Sequence, residues 1–264
     1  MVIFTGEHTQ DGVAEFDFEL TVDDQRVPAV IWAPAGAKGP RPLVLMGHGG
    51  SQHKKVDSLA ARARRYAGAF GWATLSIDAP GHGERVRPDE AEAMARDLAA
   101  RVRGVAQPVA GPSPIFKTMA ERARRIVPEW RAALDAAQSL DFIGSGGPVG
   151  YWGLSMGLVL GVPFVAADPR ITYAVFGLGG LRLKDQAFAE AARAITIPLE
   201  FAFQWDDAVA PRETGLALFD AFGSTEKTLH INPGPHGGIP QFENAAWDRF
   251  FLRHLGDRRQ RSKP

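Results

Sequence analysis

Ser155 stands between two glycines in the sequence GLSMG at residues 153–157, directly after the apolar run PVGYW. Such a run followed by helical spacing is typical of a strand, a tight turn and a helix. A serine hydroxyl is a weak nucleophile unless a neighbouring base takes its proton, and this kind of turn would point Oγ toward such a base. The motif therefore predicts a nucleophilic serine. The alternative is a small residue in a tight turn, which a chain with 29 glycines can produce by chance.

Two later loops could supply the base and an acid that orients it. The stretch QWDDAVAP places Asp206 and Asp207 after a β-rich run and before Pro211, a residue type common in the first turn of a helix. The stretch PGPHGG places His236 just after the last predicted strand. Each feature alone is compatible with a helix cap or a surface histidine. Together with Ser155 they predict a nucleophile, a base and an acid, with either aspartate as the acid.

Backbone N–H groups near the serine would stabilise the negative charge of a tetrahedral intermediate. We expect one from Met156, directly after the nucleophile. The other is expected from the loop GHGG at residues 47–50, with Gly50 as the first choice and Ser51 as the second.

The histidines of these loops could instead suggest a metal centre. His48, His53 and His82 are the candidates, but no carboxylate lies between His48 and His53, and PGHG is a common glycine turn. We predict no metal and no cofactor.

The elements that must position these residues alternate between strand and helix. The runs FDFELTV and VPAVIWA, between residues 16 and 32, are separated by Asp23-Asp24-Gln25 and indicate an antiparallel hairpin. Apolar runs that predict buried strands lie at residues 43–50, 72–83, 148–154, 171–180, 198–205 and 227–234. Helical segments between them predict one central, mostly parallel sheet of about eight strands.

One segment interrupts the alternation. Residues 84–138 contain a charged helical stretch, a Pro/Gly-rich link at 105–114 and a long second helical stretch. We expect a lid-like helical insertion over the active face within a single domain spanning residues 1–264. The alternative is a pair of solvated helices that do not contact substrate.

The amino-acid composition limits the classes of binding partner that we expect. Thirty Lys and Arg balance thirty Asp and Glu, so no net field favours nucleic acid or an anionic membrane, and a small uncharged substrate is expected. The chain has no cysteine, which excludes disulfides, thiolate metal sites and a cysteine nucleophile. Without a basic and apolar leader or an apolar run of about 18 residues, we expect a cytoplasmic protein. The oligomeric state is left open.

With GHGG, GLSMG, DDAVAP and PGPHGG in this order, the chain resembles the α/β-hydrolase superfamily, and within it the dienelactone hydrolase-like esterases, over nearly its whole length. The resemblance implies a twisted, mostly parallel eight-stranded sheet with helices on both faces, and a cofactor-free serine hydrolase. The spacing to Pro211 in related hydrolases favours Asp207 over Asp206 as the acid. Dienelactone hydrolase itself uses a cysteine nucleophile, whereas this chain has Ser155.

The expected activity is hydrolysis of small carboxylic esters through an acyl-enzyme. A thioesterase or a cofactor-free perhydrolase would use the same three residues, and a non-catalytic binding protein with this fold is the alternative from another class. Trp205, Trp152 and Phe116 are candidates for an apolar pocket, although aromatic residues beside strands more often belong to the core.

Overall fold

The computed structural model describes residues 2–86, 114–181 and 185–256, and for residues 114–122 it describes the backbone alone. Within these ranges the strands are β1 Phe4–Gln10, β2 Val13–Val22, β3 Gln25–Pro34, β4 Leu43–Gly47, β5 Ala73–Ile77, β6 Val149–Leu154, β7 Ile171–Gly177, β8 Leu199–Gln204 and β9 Lys227–Asn232. The helices are α1 Asp57–Phe70, α2 Pro114–Gln138, α3 Met156–Ala167, α4 Gln186–Ala194, α5 Arg212–Ala221 and α6 Phe242–Leu255, with a 3₁₀ turn at Gly83–Arg85.

The strands of the described ranges form one nine-stranded sheet in the order β1-β2-β3-β5-β4-β6-β7-β8-β9. β1, β2 and β3 pair antiparallel, and β3 pairs antiparallel with β5. From β5 to β9 every neighbouring pair is parallel. Since parallel strands end at the same edge, the loops after β4, β6, β8 and β9 meet there, and these loops carry the residues singled out in the sequence.

Two tight hairpins build the antiparallel end of the sheet. Asp23 and Asp24 both have positive φ, 47° and 58°, which is the backbone of a two-residue turn that follows strand twist. This is the hairpin predicted from the sequence. Asp11 and Gly12 make a second turn of the same kind between β1 and β2, with φ of 51° and 76°. Strand β1 was not predicted, and it raises the strand count from eight to nine in the described residues.

Apolar side chains cover both faces of the sheet, as the fold class predicts. On one face α2, α3, α4 and α5 contribute to a large core, whereas α1 and α6 cover the other face. The strands β4 and β5 are buried at every position because helices lie on both sides of them. None of the helices in the described ranges is long and apolar enough to cross a membrane.

The predicted insertion at residues 84–138 is only partly within the described residues, because 87–113 lie outside them. Its described parts are the 3₁₀ turn and α2. Arg85 in that turn donates two hydrogen bonds of 2.7 Å to the carboxylate of Glu129 in α2, and both side chains are buried. This bidentate pair holds the turn against α2, and the role of the insertion as a lid stays a prediction.

Candidate active site

Ser155 occupies the sharp turn between β6 and α3. Its backbone has φ 55° and ψ −118°, which is rare for a residue with a side chain and is typical of strained functional turns. The flanking glycines permit the crowding around this turn. A Cβ atom on Gly153 would lie 2.6 Å from the carbonyl oxygen of Gly157, and one on Gly157 would lie 2.3 Å from that of Gly47. The spacing Gly-x-Ser-x-Gly is therefore required by the close approach of strand and helix.

Three sequence-predicted residues lie in hydrogen-bonding contact at the carboxyl edge of the sheet. Nε2 of His236 lies 2.9 Å from Oγ of Ser155, and Nδ1 of the same ring lies 2.6 Å from Oδ2 of Asp207. The residues come from the loops after β6, β8 and β9, so only the fold brings them together. The Asp207 side chain is fully buried, whereas that of His236 keeps a quarter of its surface exposed. When a hydroxyl, an imidazole and a carboxylate are hydrogen-bonded in this order, a proton can move from the hydroxyl to the imidazole ring.

The two adjacent aspartates make different contacts. Oδ1 of Asp207 accepts the backbone N–H groups of Val209 and Ala210, at 2.8 and 2.9 Å, and these bonds fix the carboxylate. Asp206 points elsewhere: its Oδ2 accepts the N–H of Gly234 at 3.0 Å, and its own N–H donates to the Gly234 carbonyl at 3.2 Å. Asp206 therefore ties the loop after β8 to the loop that carries His236.

The predicted oxyanion donors lie in the expected elements. Met156 is the first residue of α3, where the backbone N–H has no partner within the helix. In the loop after β4, the N–H of Gly49 donates to Oε1 of Gln52 at 2.9 Å and is thereby occupied. Gly50 follows it, and Ser51 has a positive φ of 59°. Gly49 was not among the predicted donors, and Gly50 and Ser51 stay the first and second predictions for this loop.

His48 holds the same loop from inside. Its Nε2 accepts the N–H of Ala79, after β5, at 3.0 Å, so Nδ1 carries the proton and donates to the carbonyl of Gly49 at 2.8 Å. Burial lowers the pKa of His48 to about 4, so the ring stays neutral near pH 7. The GHGG motif was recognised in the sequence, but the hydrogen bonds by which His48 stabilises the loop were not predicted. No group of three or more potential metal ligands occurs among the described residues.

Asp78 organises the loop after β5, which has the sequence DAPGHG at residues 78–83. The fully buried carboxylate accepts the N–H of Lys54 at 2.8 Å and that of Glu84 at 3.0 Å, and it pairs with the buried Lys54 ammonium at 3.1 Å. Gly83 has φ 54°, and a Cβ atom there would collide with the Asp78 carboxylate. This cluster fixes the edge of the sheet beside the Gly47 loop.

The three candidate pocket residues differ in their surroundings. Trp205 is 44% exposed, and the Arg212 guanidinium lies 4.5 Å from the centre of its ring. Trp152 is buried in the core that α1 and α6 cover, where its ring packs edge-on against Trp247. The structure thus places Trp152 in a packing role, because even positions of β6 face that core. Phe116 lies in α2, but its side chain is outside the described residues.

Solved structures with this fold include several esterases. A cold-adapted esterase from an Arctic intertidal metagenomic library, in its PEG-bound complex, is 32% identical, with a TM-score of 0.79 over 96% of this chain and 99% of the other. An acetyl xylan esterase from Paenibacillus sp. R4 is 18% identical, with a TM-score of 0.73 over 97% and 88% of the two chains. A dienelactone hydrolase from Anabaena variabilis ATCC 29413 is 19% identical, with a TM-score of 0.63 over 92% and 99%.

No protein-family profile and no curated protein matches the chain. The two structures below 25% identity support the fold, and the cold-adapted esterase supports a closer relationship over nearly the full length of both chains. The chain belongs to the same family of esterases as this cold-adapted esterase, and it has the α/β-hydrolase fold.

Proposed function

We propose that the protein is a serine hydrolase that cleaves carboxylic esters of small uncharged substrates through an acyl-enzyme intermediate. The observation that carries the proposal is the hydrogen-bonded chain from Ser155 through His236 to Asp207. The relationship to an esterase of 32% identity supports ester bonds as the target. The balanced charge of the chain supports an uncharged substrate.

In the proposed first step, Oγ of Ser155 attacks the ester carbonyl carbon while its proton passes to Nε2 of His236. The 2.9 Å separation of these two atoms suits direct transfer. Asp207 accepts the Nδ1–H bond, which holds the reactive tautomer and stabilises the imidazolium that forms. The negative oxygen of the tetrahedral intermediate faces the N–H groups of Met156 and Gly50.

In the second step, the intermediate collapses and its bond to the alcohol oxygen breaks. His236 gives its proton to the departing alkoxide, so a neutral alcohol leaves and the acyl group stays on Ser155. Water then enters, loses a proton to His236 and attacks the acyl carbonyl. Collapse of the second intermediate returns the proton to Oγ and releases the acid, which restores the starting state.

Turnover of p-nitrophenyl acetate by a Ser155→Ala variant tests this function. Loss of the nucleophile should lower kcat by about 10⁵-fold or more, with an unchanged circular dichroism spectrum. Ser58→Ala in α1 is the matched control, because Ser58 is exposed on a helix surface and should retain full activity. Turnover by Ser155→Ala at the wild-type rate would overturn the proposal.

A further inference from the structure

Leu178 directly follows β7 and has a left-handed backbone, with φ 56°. A bulky side chain in this region is strained, and glycine would occupy the position without that cost. Glycines stand on either side, at positions 177 and 179. Strained residues that persist are concentrated at functional sites, so the observed outlier calls for a reason why a leucine side chain stands there.

The sheet places Leu178 beside Ser155. Leu154 pairs with Gly177 in the parallel ladder, and the N–H of Ser155 donates to the Gly177 carbonyl at 2.8 Å. The next residue of each strand is Ser155 on one side and Leu178 on the other. Because neighbouring strands lie about 4.8 Å apart, the backbones of these two residues are adjacent. The N–H of Leu178 donates to the Ala202 carbonyl of β8 at 2.9 Å, which fixes it between β6 and β8.

The buried side chain of Leu178 lies outside the two large apolar clusters of the described residues. Leu178 is buried, with 8% of its surface exposed, yet among the described residues it belongs to neither of the two core clusters. Phe176, two residues earlier in β7, is part of the large core. A buried apolar side chain at the functional edge, outside both cores, is suited to contact an apolar group of a substrate.

We propose that Leu178 is a specificity-determining residue, the apolar wall of the pocket that receives the hydrocarbon part of the ester next to the attacked carbonyl. This inference rests on the proposed function. The side chain limits the length of chain that fits beside Ser155, and the strained backbone is the conformation that keeps it at the edge.

Chain-length profiles of Leu178 variants test the inference. The ratio of kcat/KM for p-nitrophenyl octanoate to that for p-nitrophenyl acetate should rise by about tenfold in Leu178→Gly, because the wall is removed. The same comparison is made with acetate esters of ethanol and octanol, so that a contact on the alcohol side is also detected. Tm should fall by several degrees, because the lost burial of the leucine exceeds the strain relieved at its backbone, and a circular dichroism spectrum checks that the variant is folded.

Two further variants make the result decisive. Leu178→Phe keeps a large side chain and should lower the octanoate-to-acetate ratio below that of the wild type. Leu199→Ala is the matched control in the large core, at the start of β8 and at the other end of that strand from the candidate site: it should lower Tm clearly and leave the ratio unchanged. An active wild type whose Leu178 variants keep the original ratio in both series would overturn this inference alone. A wild type that hydrolyses none of the esters would overturn the proposed function and this inference with it.

Discussion

Asp206 bonds to the backbone N–H of Gly234, two residues before His236, whereas the adjacent Asp207 bonds to the imidazole itself. Two acids next to each other in the sequence thus have different tasks in the structure. Asp206 fastens the loop that carries His236, and Asp207 contacts the His236 ring.

This difference predicts unequal effects of the same substitution. Asp207→Asn should lower kcat for p-nitrophenyl acetate by about 10³–10⁴-fold, because the N–H groups of Val209 and Ala210 hold the amide oxygen and the NH₂ group then faces Nδ1 of the ring. That contact favours the wrong imidazole tautomer, and the negative charge that stabilises the imidazolium is gone. Asp206→Asn should lower kcat by less than about tenfold, since an amide oxygen can still accept the N–H of Gly234. Steady-state kinetics of both variants checks the prediction, and a larger loss in Asp206→Asn would reverse the assignment.

Gly157→Ala should destabilise the fold and reduce activity together. The new methyl group would collide with the backbone carbonyl of Gly47, so β4 or α3 must shift, at a cost of about 1–3 kcal/mol or more. The control is Gly146→Ala, where no atom lies within 4 Å of the added Cβ. Chemical unfolding of both variants measures the difference in stability. Equal stabilities would contradict the tight contact between Gly157 and the end of β4 at Gly47.

How much of the fold and of the candidate site the sequence predicts depends on whether the relevant signal is local in the chain. The buried strands and the order of Ser155, Asp207 and His236 were readable because apolar runs and turn glycines are local. Strand β1 is largely polar and exposed, so no hydrophobic alternation indicated it, although Asp11-Gly12 is a strong hairpin signal that could have. The core position of Trp152 depends on which face of β6 meets α6, which is a property of the whole sheet.

The carboxyl pKa of Glu200, near the start of β8, provides a test away from the candidate site. Burial raises it to about 7, and the nearby Glu243 carboxylate also raises it, against the lowering effects of His230, Arg253 and Arg249. His230 lies between the two acids, 2.7 Å from Glu243 and 3.7 Å from Glu200. The folded state therefore keeps a proton on Glu200 at a pH where the unfolded chain, with a pKa near 4.5, has lost it.

Because the folded pKa is the higher one, this group lowers the free energy of unfolding as pH rises from about 4.5 through about 7. Glu200→Gln should remove that dependence and make the protein more stable than the wild type at pH 8, by on the order of 1–2 kcal/mol once solvent screening is allowed for. Urea unfolding at pH 5 and pH 8 measures it. A variant less stable than the wild type at pH 8 would contradict a desolvated carboxylate.

For His48 we predict the opposite dependence of stability on pH. Its folded pKa of about 4 lies below the ordinary value of 6.5, so the unfolded chain takes up the proton first and stability is lost as pH falls from about 6.5 toward 4. His48→Gln should flatten this acid limb by on the order of 2–3 kcal/mol relative to the wild type. Unfolding at pH 7 and pH 4.5 checks it; equal slopes in both proteins would mean that His48 does not remain neutral in the fold.

The central claim is that Ser155 is the residue that becomes acylated. The most direct measurement is the intact mass of the protein after treatment with a fluorophosphonate, followed by peptide mapping of the adduct. The account predicts one phosphonyl group, on the peptide that contains Ser155, and none in Ser155→Ala or in the unfolded wild type. An unlabelled folded wild type, or a label on another serine, would contradict it.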